Sequence, residues 1–463
     1  MPKINTDKIV SSSFRDPSGF LFYHDGFIYR QINNCYKENY DNLMSSGLYE
    51  TLVNANLLIH HEEADLYSPF PQKSYKIIKP EQIPDISYPY EWCFSQLKHA
   101  ALVTLEIQKK AVDFGLSLKD CSAYNIQFKK CKPVLIDTLS FETYCEGKPW
   151  VAYRQFCQHF LAPLFLMTYR DVRLSQLFRI YIDGIPLDLA SSILPFYSYF
   201  RLSSLFHIHL HAKSQKHFAD KVLKKRDRKM NRIAFLGLID NLESAVKNLK
   251  LKNHDTEWSN YYNNLNYASD AFVHKKRIVS ELIEKEKPKI VWDIGANVGV
   301  FSRIAGNKGI KVISFDIDPI AVEKNYLECI KNDETNILPL LIDVINPSPG
   351  IGWENRERMS FIERGPTDTV LALALIHHLA ISNNLPLYKI ASFFHSICNT
   401  LIIEFVPKTD TQVQILLSTR HDIFSEYNQH FFEVEFSNYF TIQTSTRIDK
   451  TDRVIYLMKK KNP

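Results

Sequence analysis

Residues able to bind a nucleoside lie close together in the second half of the chain. Asp293 is followed by Gly295, Asn297 and Gly299, and Asp316 comes roughly 20 residues later. Glycine lets a backbone turn approach a ligand closely, and a helix that starts in such a turn directs N–H groups toward it. An acid at the end of the next strand is placed to bind the two hydroxyls of a ribose. The residue types and their spacing therefore predict a nucleoside pocket.

Buried parallel strands must hold these residues in place. The predicted strand at 289 to 292 is apolar on both faces from Ile290 onward, as in a strand covered by helices on both sides. A helix is predicted over about 297–306, and the tract 275–287 reads as an amphipathic helix that leads into the first strand. The predicted strands are 289–293, 311–316, 337–343, 369–376, 400–406, 440–447 and 453–459.

The order of these elements predicts an α/β fold. Helices are expected between each of the first five strands, and a turn at Asp449 and Lys450 joins the last two. Alternating units of this kind, followed by a hairpin, form a doubly wound sheet with one antiparallel member.

The glycine spacing distinguishes this turn from a dinucleotide site, which requires G-x-G-x-x-G. With Asp293 in front, the run D-I-G-A-N-V-G resembles the D-x-G-x-G-x-G motif of class I S-adenosylmethionine-dependent methyltransferases, with Asn297 in place of the middle glycine. The resemblance covers residues 255 to 463 and implies a Rossmann-like methyltransferase sheet with an antiparallel closing strand. It also implies S-adenosylmethionine as the cofactor and methyl transfer as the reaction.

The same resemblance implies roles for single residues. Asp316 would accept hydrogen bonds from both ribose hydroxyls, and Asp293 would orient the methionine ammonium group. Asp343 would face the adenine amino group; its alternative is to cap the backbone of a following helix. The other cofactor-binding residues implied are Gly295, Asn297, Gly299, Ile317, Ile342 and Val344.

Three polar residues lie at or near the carboxyl ends of the fourth and fifth predicted strands. Methyl transfer from a sulfonium depends mostly on in-line placement of the nucleophile and the methyl group, so it requires no catalytic residue. His377, His378 and Glu404 are nevertheless placed where one of them could remove a proton from a hydroxyl or amine acceptor. The alternative for the histidines is a structural bond to a backbone carbonyl at the sheet rim. The sequence does not distinguish a small molecule, a protein or RNA as the acceptor.

Two further segments flank the predicted site. The aromatic segment 256–267 precedes the sheet, where class I methyltransferases often cover the cofactor; packing in a helical core is its alternative. The charged stretch 349–365, which contains Trp353, predicts either a wall of the acceptor site or a solvated helix.

Length and composition set limits on the rest of the chain. With 463 residues, of which 45% are apolar and 23% charged, the chain is long enough for two domains with separate cores. We predict an N-terminal α+β domain over 1–250 and the methyltransferase domain over 255–463. No stretch has the apolar length of a bilayer span, and the start of the chain lacks the apolar run of a signal peptide, which predicts a cytoplasmic protein without membrane insertion.

The cysteine and histidine patterns do not indicate a metal. Eight cysteines are scattered without C-x-x-C pairs, which predicts free thiols in a reducing compartment. The run H-I-H-L-H at 207–211 would place three histidines on one face of a strand, but no cysteine or acid cluster adjoins it. We therefore predict no metal site.

The N-terminal half contains a second polar motif. Asp120 and Asn125 stand in D-C-S-A-Y-N, and an apolar run that follows ends in Asp137. The pattern resembles the catalytic loop and metal-binding strand of protein-kinase-like phosphotransferases, in which the first acid positions a hydroxyl while the Asn and the second acid bind magnesium. A glycine-rich phosphate loop does not precede it, and Arg30, in a hairpin predicted at 20–32, stands where a nucleotide-binding Lys would be needed.

This second resemblance implies a degenerate kinase-like fold. It leaves an alternative to methyl transfer, in which a phosphotransferase-like or pseudokinase unit is regulated by a domain that binds S-adenosylmethionine without turning it over. As a whole, the chain resembles two-part bacterial proteins that include a nodulation-associated methyltransferase group, on patterns such as L-M-S-S-G-L-Y-E at 43–50 and P-W-V-A-Y-R-Q-F at 149–156.

A basic run connects the two predicted domains. Residues 213–232 contain nine Lys or Arg and two Asp, whereas the whole chain has a net charge of only +5. Such a run binds nucleic acid or another polyanion, or it is a solvated helix or linker. It offers little aromatic surface for base stacking, which favours the linker over RNA binding.

Overall fold

A computed structural model describes residues 9–213, 230–251, 269–418 and 420–461. The chain divides into two compact units. The N-terminal unit comprises Met1–Lys252 and Gly350–Arg358, and the C-terminal unit comprises Asn253–Pro349 and Met359–Pro463. The aromatic segment at 256–267 and most of the basic run at 213–232 lie outside the described residues.

The N-terminal unit begins with a four-stranded antiparallel sheet in the order β1-β2-β4-β3. Asp25 and Gly26, with φ of 47° and 80°, form the turn between the first two strands, and the predicted hairpin is confirmed. Two smaller sheets pair β5 with β8 and β6 with β7. The strands are β1 Gly19–His24, β2 Phe27–Asn33, β3 His61–Glu63, β4 Ser74–Pro80, β5 Leu116–Leu118, β6 Ile126–Lys129, β7 Lys132–Leu135 and β8 Phe141–Thr143.

The unit also contains several helices, of which α3 is the longest among the described residues. Its apolar side is buried against α8, β5 and β7. The helices are α1 Lys37–Ser45, α2 Leu48–Asn54, α3 Phe94–Asp113, α4 Tyr153–Phe156, α5 Ala162–Tyr169, α6 Leu187–Ile193, α7 Leu202–Ser204 and α8 Arg232–Asn248. Irregular helical segments include 3₁₀ turns at Val172–Arg179 and Phe196–Phe200 and π-helical stretches at Cys157–Leu161 and Leu205–Leu210.

The C-terminal unit is a seven-stranded sheet in the order β11-β10-β9-β12-β13-β15-β14. The first five strands along the chain pair in parallel, and β15 runs antiparallel to both of its neighbours. The predicted doubly wound sheet with a closing hairpin is confirmed. The strands are β9 Ile290–Ile294, β10 Lys311–Asp316, β11 Ile337–Leu341, β12 Thr367–Ala372, β13 Cys398–Phe405, β14 Phe440–Arg447 and β15 Val454–Lys460.

The sheet order reverses at β9, because β10 continues to one side of it and β12 to the other. In open parallel sheets the crevice outside the carboxyl ends of the strands at such a point is the usual ligand site. The turns that follow β9, β10 and β12 therefore border the expected ligand site. The helices of this unit are α9 Ser269–Glu286, α10 Val300–Gly306, α11 Pro319–Lys331, α12 Leu387–Ile397, α13 Thr411–Ser418 and α14 Gln429–Ser437.

One predicted helix is absent from the described residues between β11 and β12. Between β11 and β12 we expected a helix, but the chain forms only 3₁₀ turns at Trp353–Asn355 and Ile362–Arg364. Pro347, Pro349, Gly350 and Gly352 prevent a helix there, since proline lacks the N–H donor and glycine has a low helix propensity. The solvated helix considered for the stretch 349–365 is therefore wrong, although Trp353 is 66% exposed.

Candidate functional site

The turn after β9 is held by bonds within the protein. Gly295, Asn297 and Gly299 all have positive φ, of 77°, 51° and 78°. The N–H groups of Gly295 and Ala296 donate to the Phe315 carbonyl at 2.9 and 3.0 Å. These N–H groups are therefore not free to form an anion cradle, and the glycines serve the shape of the backbone. Because three residues of the turn have positive φ, α10 begins at Val300 and not at 297.

Gly299 is also required by packing. A Cβ atom at this position would lie 2.4 Å from Asn325 Oδ1 and 2.7 Å from an Arg303 guanidinium nitrogen. The same guanidinium donates to the Val298 carbonyl at 2.7 Å and so ties the turn to its surroundings. The spacing of the motif thus reflects two constraints, the left-handed backbone and the lack of room for a side chain.

Asp316 ends β10 directly beside this turn. Its Oδ2 accepts the Asn297 N–H at 2.7 Å, and its Oδ1 accepts the Asp318 N–H at 2.8 Å. Burial raises the pKa of Asp316 to about 6, although both backbone bonds favour the charged form. A carboxylate offers about four lone-pair positions, so the N–H groups of Asn297 and Asp318 do not use all of them. The protein therefore fixes the orientation of Asp316 without using up its capacity to accept hydrogen bonds.

Asp293 is buried one residue before the end of β9. It accepts a hydrogen bond from the Ser302 hydroxyl at 2.6 Å, and Ser302 lies 2.6 Å from the Ser314 hydroxyl. Burial raises the pKa of Asp293 to about 6, which the bond from Ser302 opposes and the nearby charge of Asp316 favours. Asp293 is therefore tied to α10 in the described structure.

The third strand brings a set of apolar residues to the same edge. Ile342 is buried, and its N–H donates to the Asp316 carbonyl at 2.9 Å. Asp343 lies two residues beyond the end of β11, where its Oδ1 accepts the Ile345 N–H at 2.9 Å in a turn and not at a helix start. Ile317 is 57% exposed, whereas Val344 is half-buried. Ile317 and Ile342 thus adjoin Asp316 from two directions.

His377 and His378 follow β12 with their ring centroids 4.1 Å apart. His377 is buried, and its Nδ1 has no hydrogen-bond partner among the described residues, whereas His378 is half-buried. Burial lowers the pKa of both rings, that of His378 to about 4, and the Arg453 charge lowers both further. Both imidazoles are therefore neutral near pH 7, and the lowered pKa makes each a weaker base than a free imidazole.

Glu404 takes part in a buried ion network. Its Oε2 accepts a hydrogen bond from Lys275 at 2.6 Å, and its Oε1 lies 3.3 Å from Arg453, which also bonds Asp410 at 2.7 and 3.0 Å. Burial alone would raise the pKa of Glu404, but Lys275 and Arg453 hold it below its ordinary value. Both carboxylate oxygens are thus occupied by cations, which makes Glu404 a poor proton acceptor.

The N-terminal unit also brings its predicted polar residues together. Asp137 forms an ion pair with Arg30 and accepts the Ser140 hydroxyl at 2.9 Å. The Asn125 amide reaches the same Ser140 oxygen at 3.4 Å. Burial raises the pKa of Asp120, and the charge of Asp137 raises it further. The two halves of the predicted motif therefore meet around Ser140, with the Arg30 guanidinium on Asp137.

One known protein is similar to this chain along nearly its whole length. No family model matches the sequence. Over 459 residues the chain is 33% identical to the nodulation protein NoeA of Rhizobium meliloti (strain 1021), an alignment that covers 97% of this chain and 96% of the relative. The chain belongs to the NoeA family.

Two solved structures are similar to part of the chain. The magnesium protoporphyrin IX methyltransferase ChlM of Synechocystis PCC 6803, solved with bound SAH, is 16% identical with a TM-score of 0.32, and the match covers 44% of this chain and 93% of that one. The N-methyltransferase NodS of Bradyrhizobium japonicum WM9 is 9% identical with a TM-score of 0.31, covering 42% of this chain and 98% of that one.

Sequence reasoning did not find the cations around Glu404. The sequence does contain one indication that Lys275 is buried. It lies in the apolar stripe of α9 formed by Ala271, Ile278 and Leu282. The sequence does not indicate that Arg453 is buried, because a charged residue is common in a turn that precedes an apolar strand. Their positions become evident only when β13 and β15 are paired.

The described residues bear on several other expectations. The run at 207–211 is helical and not extended, and within the described part of the chain no group of three or more His, Cys, Asp or Glu is arranged to hold a metal ion. All eight cysteines are described, and each is a free thiol. None of the described helices combines the length and apolar character needed to cross a bilayer.

Proposed function

We propose that the C-terminal unit binds S-adenosylmethionine and transfers its methyl group to a hydroxyl or amine acceptor. The observation that carries this proposal is the position of Asp316, a buried carboxylate fixed by two backbone N–H groups at the sheet's point of reversal. It retains lone pairs for a ribose diol and stands beside the glycine turn. The match of the run from Asp293 to Gly299 with the methyltransferase motif supports the same cofactor.

Several residues would hold the cofactor at this edge. Asp316 would accept hydrogen bonds from the ribose hydroxyls, with Ile317 and Ile342 against the adenine ring. Asp343 would face the adenine amino group, and the turn at Gly295 would allow close backbone approach. When bound, S-adenosylmethionine supplies an electrophilic methyl group on a sulfonium.

Asp293, Asn297, Gly299 and Val344 complete the proposed set. Asp293 would orient the methionine ammonium group, for which its second oxygen would serve while Ser302 holds the first. Asn297 and Gly299 would act through the backbone of the turn, and Val344 would be an apolar neighbour of the ring.

His377 and His378 would serve the acceptor. Their neutral imidazoles can take a proton from a hydroxyl or amine as its oxygen or nitrogen attacks the methyl group. Since His378 is half-buried and His377 is buried, His378 is the one we assign to touch the acceptor. Glu404 would act as a positioning residue, because its charge holds Lys275 and Arg453 close to the histidines.

The name of the R. meliloti relative assigns that protein to nodulation. We propose that this chain also takes part in nodulation. The name does not indicate which acceptor is methylated.

The proposal can be tested in two steps. Calorimetry with S-adenosylmethionine should give a saturable binding isotherm that is lost in Asp316→Ala, with the fold of the variant verified by its thermal melt. Incubation with a labelled methyl donor and a fractionated lysate should then place label in small molecules, protein or RNA. Absence of binding by the folded wild type would overturn the proposal, and binding without labelled product would favour a regulatory domain.

A second candidate function concerns the N-terminal unit. The convergence of Asp120, Asn125 and Asp137 around Ser140 favours a kinase-like polar centre there. Arg30 forms an ion pair with the carboxylate of Asp137, the group that would have to bind magnesium for phosphoryl transfer. We therefore favour a degenerate unit that binds no nucleotide over an active phosphotransferase.

A further inference from the structure

In one helical stretch of the N-terminal unit, three large apolar side chains face outward while two histidines are buried. From α7 through the π-helical stretch Leu205–Leu210, the side chains of Leu202, Phe206 and Leu210 are 71%, 56% and 42% exposed. Residues four apart share one face of a helix. His207 and His209, by contrast, are only 3% and 1% exposed, and Ile208 between them is fully buried. This is the reverse of the usual burial preference of these residue types.

The preceding 3₁₀ turn, Phe196–Phe200, has the same inverted pattern. Phe196, Tyr197 and Phe200 are exposed, the two phenylalanines by 76% and 75%, whereas Ser198 is fully buried. The rings of Phe196 and Phe200 lie 5.5 Å apart between centroids, so they form one patch. We call the exposed apolar residues of both segments the aromatic face, which consists of Phe196, Tyr197, Phe200, Leu202, Phe206 and Leu210.

Hydrogen bonds on the inner side fix this orientation. His209 lies 2.8 Å from both the Ser191 and the Ser198 hydroxyls. His207 bonds the Tyr153 hydroxyl and the Asn241 side-chain oxygen, both at 2.7 Å. Rotating the helix to bury Leu202, Phe206 and Leu210 would leave these polar groups without their partners. An unpaired polar group inside a protein raises the free energy of the fold. The outward direction of the aromatic face is therefore built into the unit.

Charge next to the face indicates what would cover it. Arg201, between Phe200 and Leu202, is exposed, and so is Lys213 at the end of the helical stretch. The sequence continues after Lys213 with eight more Lys or Arg up to Arg232. Arg201 and Lys213 therefore give the described surface beside the face a positive charge.

We propose that the aromatic face docks the protein onto the surface of an anionic lipid bilayer. Phenylalanine and leucine side chains bury in the boundary between headgroups and acyl chains, and a tyrosine suits the headgroup level. Lys and Arg beside such an apolar surface are attracted to anionic lipids, and together these features typify interfacial binding. Docking of this kind goes beyond methyl transfer and requires no helix that crosses the membrane.

Vesicle sedimentation tests the proposal with the full chain. The wild type should pellet with vesicles of phosphatidylcholine and phosphatidylglycerol, less with phosphatidylcholine alone, and less when salt is raised. Phe200→Ser with Phe206→Ser should lower the partition coefficient at least about tenfold, because two apolar side chains that would bury in the bilayer are lost. Tyr67→Ser is the matched control, since Tyr67 is 89% exposed in the same unit outside the face, and it should bind like the wild type.

Four outcomes would overturn the proposal. Wild type that stays in the supernatant with both kinds of vesicle would do so, as would equal partition of the double variant and the wild type. A concentration-dependent dimer that the double variant abolishes, without vesicle binding, would assign the face to a second copy of the chain. A salt-sensitive shift with RNA oligonucleotides, in the absence of vesicle binding, would assign the region to nucleic acid. Far-UV circular dichroism of the variants verifies that both changes leave the fold intact.

Discussion

Asp316 is the residue on which the cofactor proposal depends most. A carboxylate accepts hydrogen bonds best when it is ionised. Burial raises the pKa of Asp316 to about 6, so its ionisation changes within the pH range used for binding experiments. Binding of a ribose diol to the ionised form would lower that pKa, so affinity and pH must be coupled. This coupling offers a test that separates a ligand role from a structural one.

We predict that affinity for S-adenosylmethionine falls as pH is lowered through about 6, the pKa of Asp316. If only the ionised form binds, the affinity should decrease by about tenfold per pH unit below that value. Calorimetry at pH 7 and pH 5 measures the change. Asp316→Asn, which cannot ionise, should bind weakly with little dependence on pH from this group, while Asp293→Asn controls for the neighbouring carboxyl, whose pKa is also about 6. Equal affinity at both pH values in the wild type would contradict the role of Asp316.

The histidine pair gives a second prediction at single positions. Replacing His377 and His378 together by alanine should lower the methyl-transfer rate by a factor of about 10² to 10⁴, with cofactor affinity nearly unchanged, because the rings would face the acceptor. His378→Ala alone should account for most of the loss, since His377 is buried. Single-turnover rates at saturating cofactor measure this once labelling has identified an acceptor. A double variant with full activity would leave catalysis to proximity alone.

Some of these residues could be predicted from sequence, and others could not. Asp293, Gly295, Gly299 and Asp316 have a spacing set by local geometry, which a single sequence displays directly. The partner of Asp293 is also local, because Ser302 lies one helix turn into α10. By contrast, Lys275 and Glu404 are 129 residues apart, and their contact depends on the packing of α9 against the finished sheet. Long-range polar contacts of this kind have no pattern in one sequence.

Helix α9 is held to the strand ends by that long-range contact. Lys275 and Glu404 are 3% and 0% exposed, and Arg453, at 2%, completes the network with Asp410. Removing one member of a buried ion network leaves a charge without compensation in a medium of low polarity. The network therefore stabilises the fold only while it is complete.

We predict that Lys275→Met destabilises the C-terminal unit by about 3–5 kcal/mol. Urea unfolding, followed by a probe of this unit, measures the change in the free energy of unfolding. Arg277→Met is the matched control, because Arg277 lies on the same helix and is 67% exposed, and it should change stability by less than about 0.5 kcal/mol. Similar small effects of the two substitutions would show that the Lys275 charge is solvated.

The elements were predictable to different degrees. The seven strands of the C-terminal unit follow from apolar runs and turn residues, and their bounds differ from the prediction mainly at the ends, as β11 does. The orientation of the helix that carries His207 and His209 could not be predicted, because amphipathic periodicity assigns Leu202, Phe206 and Leu210 to the core. The hydrogen bonds that reverse it come from residues in four other parts of the unit.

The molecule as a whole contains many buried neutral histidines. Burial lowers the pKa of His61, His159 and His378 to about 4, and it lowers the pKa of five further histidines. A folded pKa below the unfolded value means that stability is present above about 6.5 and is lost as pH falls toward the folded pKa. Asp120, Asp293 and Asp316 act in the opposite direction, because burial raises their pKa and their protonation favours the folded state.

We predict that the histidines outweigh these three carboxyls, so that the protein is less stable at pH 5 than at pH 7. Each fully shifted histidine contributes a loss of up to about 1.4 kcal/mol per pH unit in this window. Urea unfolding midpoints at the two pH values, with ionic strength held constant, measure the net effect. A higher midpoint at pH 5 would mean that the carboxyls dominate.

The remaining prediction concerns the N-terminal unit and decides between the two candidate functions of the chain. A nucleotide that binds only the folded state must raise its melting temperature by mass action. Because the Arg30 guanidinium is already paired with Asp137, and a glycine-rich phosphate loop does not precede it in the sequence, magnesium and ATP together should leave the melting temperature unchanged. Differential scanning calorimetry with and without magnesium measures this, and S-adenosylmethionine serves as the positive control because it should stabilise the C-terminal unit. A magnesium-dependent increase that disappears in Asp137→Ala would show that the cation displaces Arg30, and the phosphotransferase alternative would then take precedence for this unit.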